Sequence, residues 1–225
     1  IWYHGSDQIN EQGFHQAGIR EGLTTYYYED GTIQREGFFK DGLPESIWTY
    51  WNSKGEKDFE FDFGTGLEHI ALEDLVERNS IFYKIGDEIP FTGIITQENQ
   101  EVGYLFLGRT NKGKKDGQWV KWYPSGKDVP EIILVDIPEP EPVLPWSGGK
   151  QEQGGYKNGE KHGKWTEWYD NEHIKSHGTY DSGIMNGHWT FFHKNGVKEK
   201  EGNLNEGNAD GLWIFWDNNS KKVQE

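Results

Sequence analysis

Five histidines crowd the C-terminal third of the chain: His162, His173, His177, His188 and His193. Imidazole is a ready zinc ligand, and several converging rings would make a metal centre. Their spacing argues otherwise. His173 and His177 share a face if they lie on one strand, but stand about 13 Å apart at a rise of about 3.3 Å per residue. His188 and His193 are an odd number apart and point to opposite faces. These rings read as solvated turn and strand-face residues, so neither a metal nor any other cofactor is expected. Carboxylates are the other abundant chemistry, with 38 Asp and Glu against 23 Lys and Arg and a formal charge of −15. A glycosidase needs two of them about 5–10 Å apart beside a cleft, and a flat sheet offers no cleft. There is no cysteine, which removes disulfides, thiolate metal sites and a cysteine nucleophile. No Gly-x-Ser-x-Gly elbow, phosphate-binding loop or dinucleotide fingerprint is present. No catalytic residue is assigned.

The aromatic residues carry more information. Aromatics are 15% of the chain and hydrophobic residues 33%, so nearly half the apolar residues are rings. They fall into two columns. One holds Trp48, Trp119, Trp165, Trp189 and Trp213, with Thr24 as the exception. The other holds Tyr3, Tyr27, Trp51, Trp122, Trp168, Phe192 and Trp216. Rows of exposed indoles can stack on sugars or on bases, but a −15 chain repels the phosphates of nucleic acid. A glycan is the stacking ligand that stays open. The structural alternative is that the columns are the small core between repeats. A ring removes roughly 150–250 Å² from water, an upper bound of about 4–6 kcal/mol each, and aliphatic residues are too scarce to replace that.

A third candidate is the proline-rich piece at residues 128–150. Pro138, Pro140 and Pro142 alternate with acidic residues between the apolar Ile133, Leu144 and Trp146. Prolines at that spacing forbid helix and a central strand, so the segment is expected to be extended. Such a segment suits capture by a protein partner, or it straps one face of its own sheet.

The elements that must position these residues are set by glycine. The spacing Gly-x4-Gly-x3-Gly recurs at Gly13/Gly18/Gly22, Gly108/Gly113/Gly117, Gly154/Gly159/Gly163, Gly178/Gly183/Gly187 and Gly202/Gly207/Gly211, with a period of 24 residues in the C-terminal copies. Gly37/Gly42 continues it with Ser46 in third place, and Gly66 is a lone survivor. Trp-rich runs bounded by glycine read as strands. Pairs such as Asp41-Gly42, Asn158-Gly159 and Ser182-Gly183 supply the positive φ of two-residue hairpin turns. The expected fold is all-β: an elongated antiparallel meander of about seven hairpins in a single twisted sheet, with rings stacking between repeats at 24-residue spacing. The two columns are three residues apart, so strict alternation puts them on opposite faces, unless a bulge near the glycine rotates one column across. An N-terminal array is expected over residues 1–135, with an irregular piece at 67–92, and a C-terminal array over 150–225. Residues 67–79 suit a short helix or an edge strand equally.

The elements Gly113-Lys-Lys-Asp-Gly117-Gln-Trp119-x-x-Trp122-Tyr123 and Gly159-Glu-Lys-His-Gly163-Lys-Trp165-x-x-Trp168-Tyr169 resemble the bacterial variant of the MORN repeat. Leu75 to Gly93 resembles the strand-rich segment that accompanies such repeats in the YwqK-type family, often labelled antitoxin. The resemblance implies an elongated hairpin array used as a scaffold or interaction surface, with no catalytic residues to carry over. The function expected is a non-enzymatic protein-interaction scaffold, a subunit of a larger complex such as one of the cell envelope. The alternatives are a carbohydrate- or cell-wall-binding module and an antitoxin-like protein that binds a toxin. The charge argues against nucleic acid and against direct contact with anionic membrane. Ile1 in first place reads as a processed or truncated start, which favours a secreted or cell-envelope location over a cytoplasmic one.

Overall fold

The computed structural model describes residues 2–3, 8–52, 54–99, 104–122 and 149–224. They form antiparallel hairpins in a meander, and the one helical piece among them is a 3-10 turn, Leu72–Asp74. Two compact units divide the chain, Ile1–His69 and Ile70–Glu225. In the first, six strands pair in chain order: β1 (Trp2–Tyr3), β2 (Ile9–Gln16), β3 (Ile19–Tyr27), β4 (Ile33–Lys40), β5 (Leu43–Trp51) and β6 (Lys57–Asp62). At the division lies β7 (Glu68–Ala71), followed by β8 (Leu75–Arg78) and β9 (Ile81–Lys84), which form a hairpin of their own. The long sheet of the second unit then runs through β10 (Gly93–Asn99), β11 (Tyr104–Asn111), β12 (Lys114–Trp122), β13 (Lys150–Lys157) and β14 (Glu160–Trp168). It continues with β15 (Ile174–Asp181), β16 (Ile184–Phe192), β17 (Lys198–Asn205), β18 (Asn208–Trp216) and β19 (Lys222–Gln224), and β7 lies beside β10.

The meander is the expected one, but the single sheet is not. Pairing in chain order stops after β6, where the glycine metre decays and Gly64 and Gly66 turn the chain at φ of 69° and 65°. Nor does the chain divide at the proline-rich insert. Strands β12 and β13 flank it and pair directly, Trp119 opposite Gly154 and Val120 opposite Gln153. The separate arrays expected at 1–135 and 150–225 are therefore corrected: the units part at 69/70. Residues 67–79 take the strand alternative, as β7, the 3-10 turn and β8. Six hairpins keep the glycine metre among the described residues, together with the shorter β8–β9 pair, against the seven expected.

Each hairpin is shaped at two points. Asn158 and Gly159 both take left-handed φ, 54° and 94°, the type I′ geometry whose twist matches the strands it joins. Further along, Gly154 opposes Trp165 but Gly155 opposes His162, so Gly163 and Lys164 have no counterpart on β13. That bulge is where the third glycine sits, Gly163 at φ 77°. A second slip precedes every member of the outer aromatic column, as between Glu167 and Trp168.

The inner aromatic column lies in a core on one face of each sheet, and in the long sheet Ile94, Leu107, Val120 and Trp122 are buried on the other face as well. In the first unit Trp48 packs against Tyr26, Phe39 and Phe63, the Phe39 ring edge-on at 5.0 Å. Tyr50 stacks on Phe59 at 4.4 Å beside them. In the second unit Trp165, Tyr180, Trp189 and Leu204 form one buried cluster, and Phe82, Phe91, Ile95 and Trp119 form another.

Candidate interaction surfaces

The inner aromatic column is held by a contact between each indole and a glycine on the preceding strand. A side-chain carbon on Gly178 would overlap the Trp189 ring, and the same holds for Gly37 under Trp48, Gly108 under Trp119, Gly154 under Trp165 and Gly202 under Trp213. Every one of these indoles also donates its Nε1–H to the carbonyl of the residue after that glycine. The acceptors are Phe38 at 3.1 Å, Arg109 at 2.9 Å, Gly155 at 2.9 Å, Thr179 at 3.1 Å and Asn203 at 3.1 Å. The first glycine of the metre is thus no turn residue. It is the seat of an indole. In the copy where Thr24 replaces Trp, it is the Thr24 side chain that lies over Gly13.

The rings do not pass directly from one tryptophan to the next, as stacking at the repeat spacing required. A residue two places after the seat glycine stands between them. Tyr156 lies edge-on between Trp119 (5.7 Å) and Trp165 (5.3 Å), and Tyr180 between Trp165 (5.8 Å) and Trp189 (5.2 Å). An indole fills the width of the strand it overlies, so a ring from the intervening strand must close the gap to the next. From Trp189 the row continues through Phe191 to Trp213 and Phe215. The Gly-x-Tyr pattern at Gly154 and Gly178 was the signal for these residues. Lys115 lies over Trp119 at 4.6 Å and Tyr156 at 5.0 Å, and Lys161 over Trp165 at 3.8 Å. Burial lowers the Lys115 ammonium and pushes the Tyr156 phenol up to about 12, with Glu152 adding to the latter.

The outer column lies on the opposite face, the strict-alternation alternative of the two its spacing allowed. Trp122 is buried, while Trp51, Trp168, Phe192 and Trp216 are half-buried. Lys150 sits over the Trp168 ring at 4.9 Å and Lys198 over Trp216 at 5.1 Å. His177 covers Phe192 at 5.7 Å. The strand-linking turns at that end form a ladder between repeats. Tyr169 OH donates to the Phe192 carbonyl at 2.8 Å, Asn171 to Lys194 at 2.7 Å and Asn195 to Asn218 at 2.9 Å.

The remaining candidates are dispersed. His173 Nδ1 bonds to the Lys194 carbonyl and His193 Nε2 to the Trp216 carbonyl, both at 3.0 Å. His162 lies 3.5 Å from Asp181 and His188 3.7 Å from Glu201. Among the described residues no three metal-ligating groups converge. A depression of about 200 Å³ is lined by Lys121, Gln151, Glu152, Glu167, Trp168 and Lys175, and two of its charges pair, Lys175 lying 3.3 Å from Glu167. In the first unit Arg20 grips the buried Glu11 through Nε at 3.0 Å and a terminal nitrogen at 2.9 Å, a pairing that sequence reasoning missed because the partners lie on the two strands of a hairpin and out of direct register. Ile133, Pro138, Pro140, Pro142, Leu144 and Trp146 lie outside the described residues.

No curated protein matches the chain. Three stretches, residues 20–41, 161–182 and 185–206, match the family model of the MORN repeat variant. Each covers a strand, the turn that links one hairpin to the next, and the following strand: β3 and β4 in the first unit, β14 and β15 and then β16 and β17 in the second.

Proposed function

We propose that the protein is a non-enzymatic interaction scaffold, a subunit that offers its hairpin faces to protein partners within a larger assembly, such as one of the cell envelope. The observation that carries this reading is the use made of the chain's aromatic residues. The inner rings are spent on holding successive hairpins together, each indole seated on a glycine, which leaves broad sheet faces rather than a cleft. The depression beside Trp168 supports it too. At about 200 Å³ it is smaller than the roughly 300–1,000 Å³ of a small-molecule pocket, and Lys121, Lys175, Glu152 and Glu167 line it as opposed charges. A glycan platform fits less well, because Lys150 and Lys198 occupy the ring faces of Trp168 and Trp216 where a sugar would lie.

The test is quantitative affinity purification of the full chain from its native source, with and without residues 128–148. A partner recovered at fixed stoichiometry through a salt wash is the expected result. A chain that returns alone in every preparation, or that binds polysaccharide with a shift in tryptophan emission, contradicts the scaffold.

A further inference from the structure

We infer that the sheet face of the first unit opposite Trp48 is a docking surface for a cationic amphipathic helix of a protein partner. This deepens the scaffold reading and rests on it. Phe14, Leu23, Phe38 and Ile47 are 61%, 49%, 52% and 57% exposed. They lie on four successive strands, β2 to β5. Leu23 stands directly opposite Phe38. Phe14 opposes Glu21, two residues before Leu23, and Phe38 opposes Glu45, two residues before Ile47. The four side chains therefore run diagonally across one face as a continuous apolar stripe.

The repeat itself does not require that stripe. Each of the four follows a first or third member of the glycine metre by one residue. Of the eight same places in the second unit, seven hold Arg109, Gln118, Gly155, Lys164, Thr179, His188 and Asn203, and only the last, Leu212, is apolar, on hairpins of the same register and turn geometry. One architecture thus holds apolar side chains at all four of these places in the first unit and at one of eight in the second. An exposed apolar patch with a polar rim marks an interaction site.

Charge selects the occupant. Glu21, Glu45 and Asp62 stand opposite Phe14, Phe38 and Ile47 and line the stripe with carboxylates. Residues 1–69 hold 13 acidic against 5 basic residues, a net −8 of the chain's −15. A second copy would bring carboxylate onto carboxylate, and an anionic bilayer is repelled in the same way. A ridge of Leu, Ile or Phe flanked by Lys or Arg meets both the stripe and its rim. Three inter-strand spacings of about 4.8 Å give the stripe a breadth of about 14 Å, the length of roughly ten residues of helix.

The probe is a pair of labelled synthetic helical peptides with the same leucine ridge, one flanked by lysine and the other by glutamate. Fluorescence anisotropy against the full chain is expected to show the lysine peptide binding at least ten-fold tighter, with affinity falling as salt rises. Leu23→Thr with Phe38→Thr should weaken it ten-fold or more at an unchanged melting temperature. Glu45→Lys, which leaves the apolar stripe whole, should narrow the preference between the two peptides. Equal affinity for both peptides, or indifference to these substitutions, overturns the proposal. So does a dimer, or binding to phosphatidylcholine vesicles, that the threonine pair abolishes. A native partner that stays stoichiometric on the threonine-pair variant removes this surface and leaves the scaffold standing, whereas the absence of any partner removes the scaffold.

Discussion

The indole of Trp189 occupies the space above Gly178 that any other residue's side chain would need, and donates its Nε1–H to the Thr179 carbonyl at 3.1 Å. Glycine and tryptophan thereby make one structural unit across two strands, and the 24-residue period repeats the pair. Replacing Trp189 with alanine removes a buried ring that touches Tyr180 and Phe191. The expected cost is about 3–5 kcal/mol, read from equilibrium urea unfolding. An unmoved midpoint would show that the ring carries no packing.

Ser46 stands in the third-glycine place with φ 61°, where Gly22, Gly117, Gly163, Gly187 and Gly211 take 73–79°. A side chain there is strained, and only hydrogen at Cα removes the clash. Ser46 is exposed, so Ser46→Gly loses little packing. It should stabilise the first unit by about 0.5–1 kcal/mol, measured as a higher denaturation midpoint. A fall in the midpoint would mean that the hydroxyl contributes more than the strain costs.

The Glu11 side chain is 4% exposed and is bound by Arg20 through two nitrogens. Glu11→Gln removes the charge against which the guanidinium is held, and should cost about 3 kcal/mol. Glu11→Leu combined with Arg20→Met removes both charges and should recover most of that loss. Chemical denaturation of the three variants distinguishes a pair that is costly to break from one that is merely stabilising; a double variant no better than the single contradicts this account.

His69 stacks on Phe63 at 5.5 Å, and burial holds its imidazole below the ordinary 6.5. The folded chain therefore prefers the neutral ring, while the unfolded chain takes up a proton from about pH 6.5 downward. Native protein binds fewer protons in that range, so stability falls as pH drops below 6.5 and is restored above it. His69→Phe should flatten the slope of melting temperature against pH between 7.5 and 5. Parallel profiles for the two proteins would show that His69 is not the group responsible.

The all-β hairpin meander was legible because its causes are local. Asn158-Gly159 must turn, and Trp165 and Trp168, three apart on a strand, face opposite ways under strict alternation. The role of the first glycine was not legible, since nothing at Gly178 itself says that an indole eleven residues on will lie over it. Tyr180 was visible as part of a Gly-x-Tyr pattern, but its place between Trp165 and Trp189 depends on which strands are neighbours. The division at 69/70 rather than at the insert was hidden for the same reason: a long excursion does not stop β12 and β13 from pairing. The stripe from Phe14 to Ile47 looked like ordinary strand hydrophobicity, and only the order and register of β2 to β5 bring the four residues side by side.

The most direct test is a double-mutant cycle on Gly202 and Trp213, the last seated pair, by urea unfolding. Gly202 is not in a left-handed conformation, so the account gives an alanine there one obstacle, the Trp213 ring. Gly202→Ala should cost about 1–3 kcal/mol in the native background and nothing, or a small gain, once Trp213 is alanine. Equal costs in the two backgrounds would contradict the claim that these glycines exist to seat the indoles.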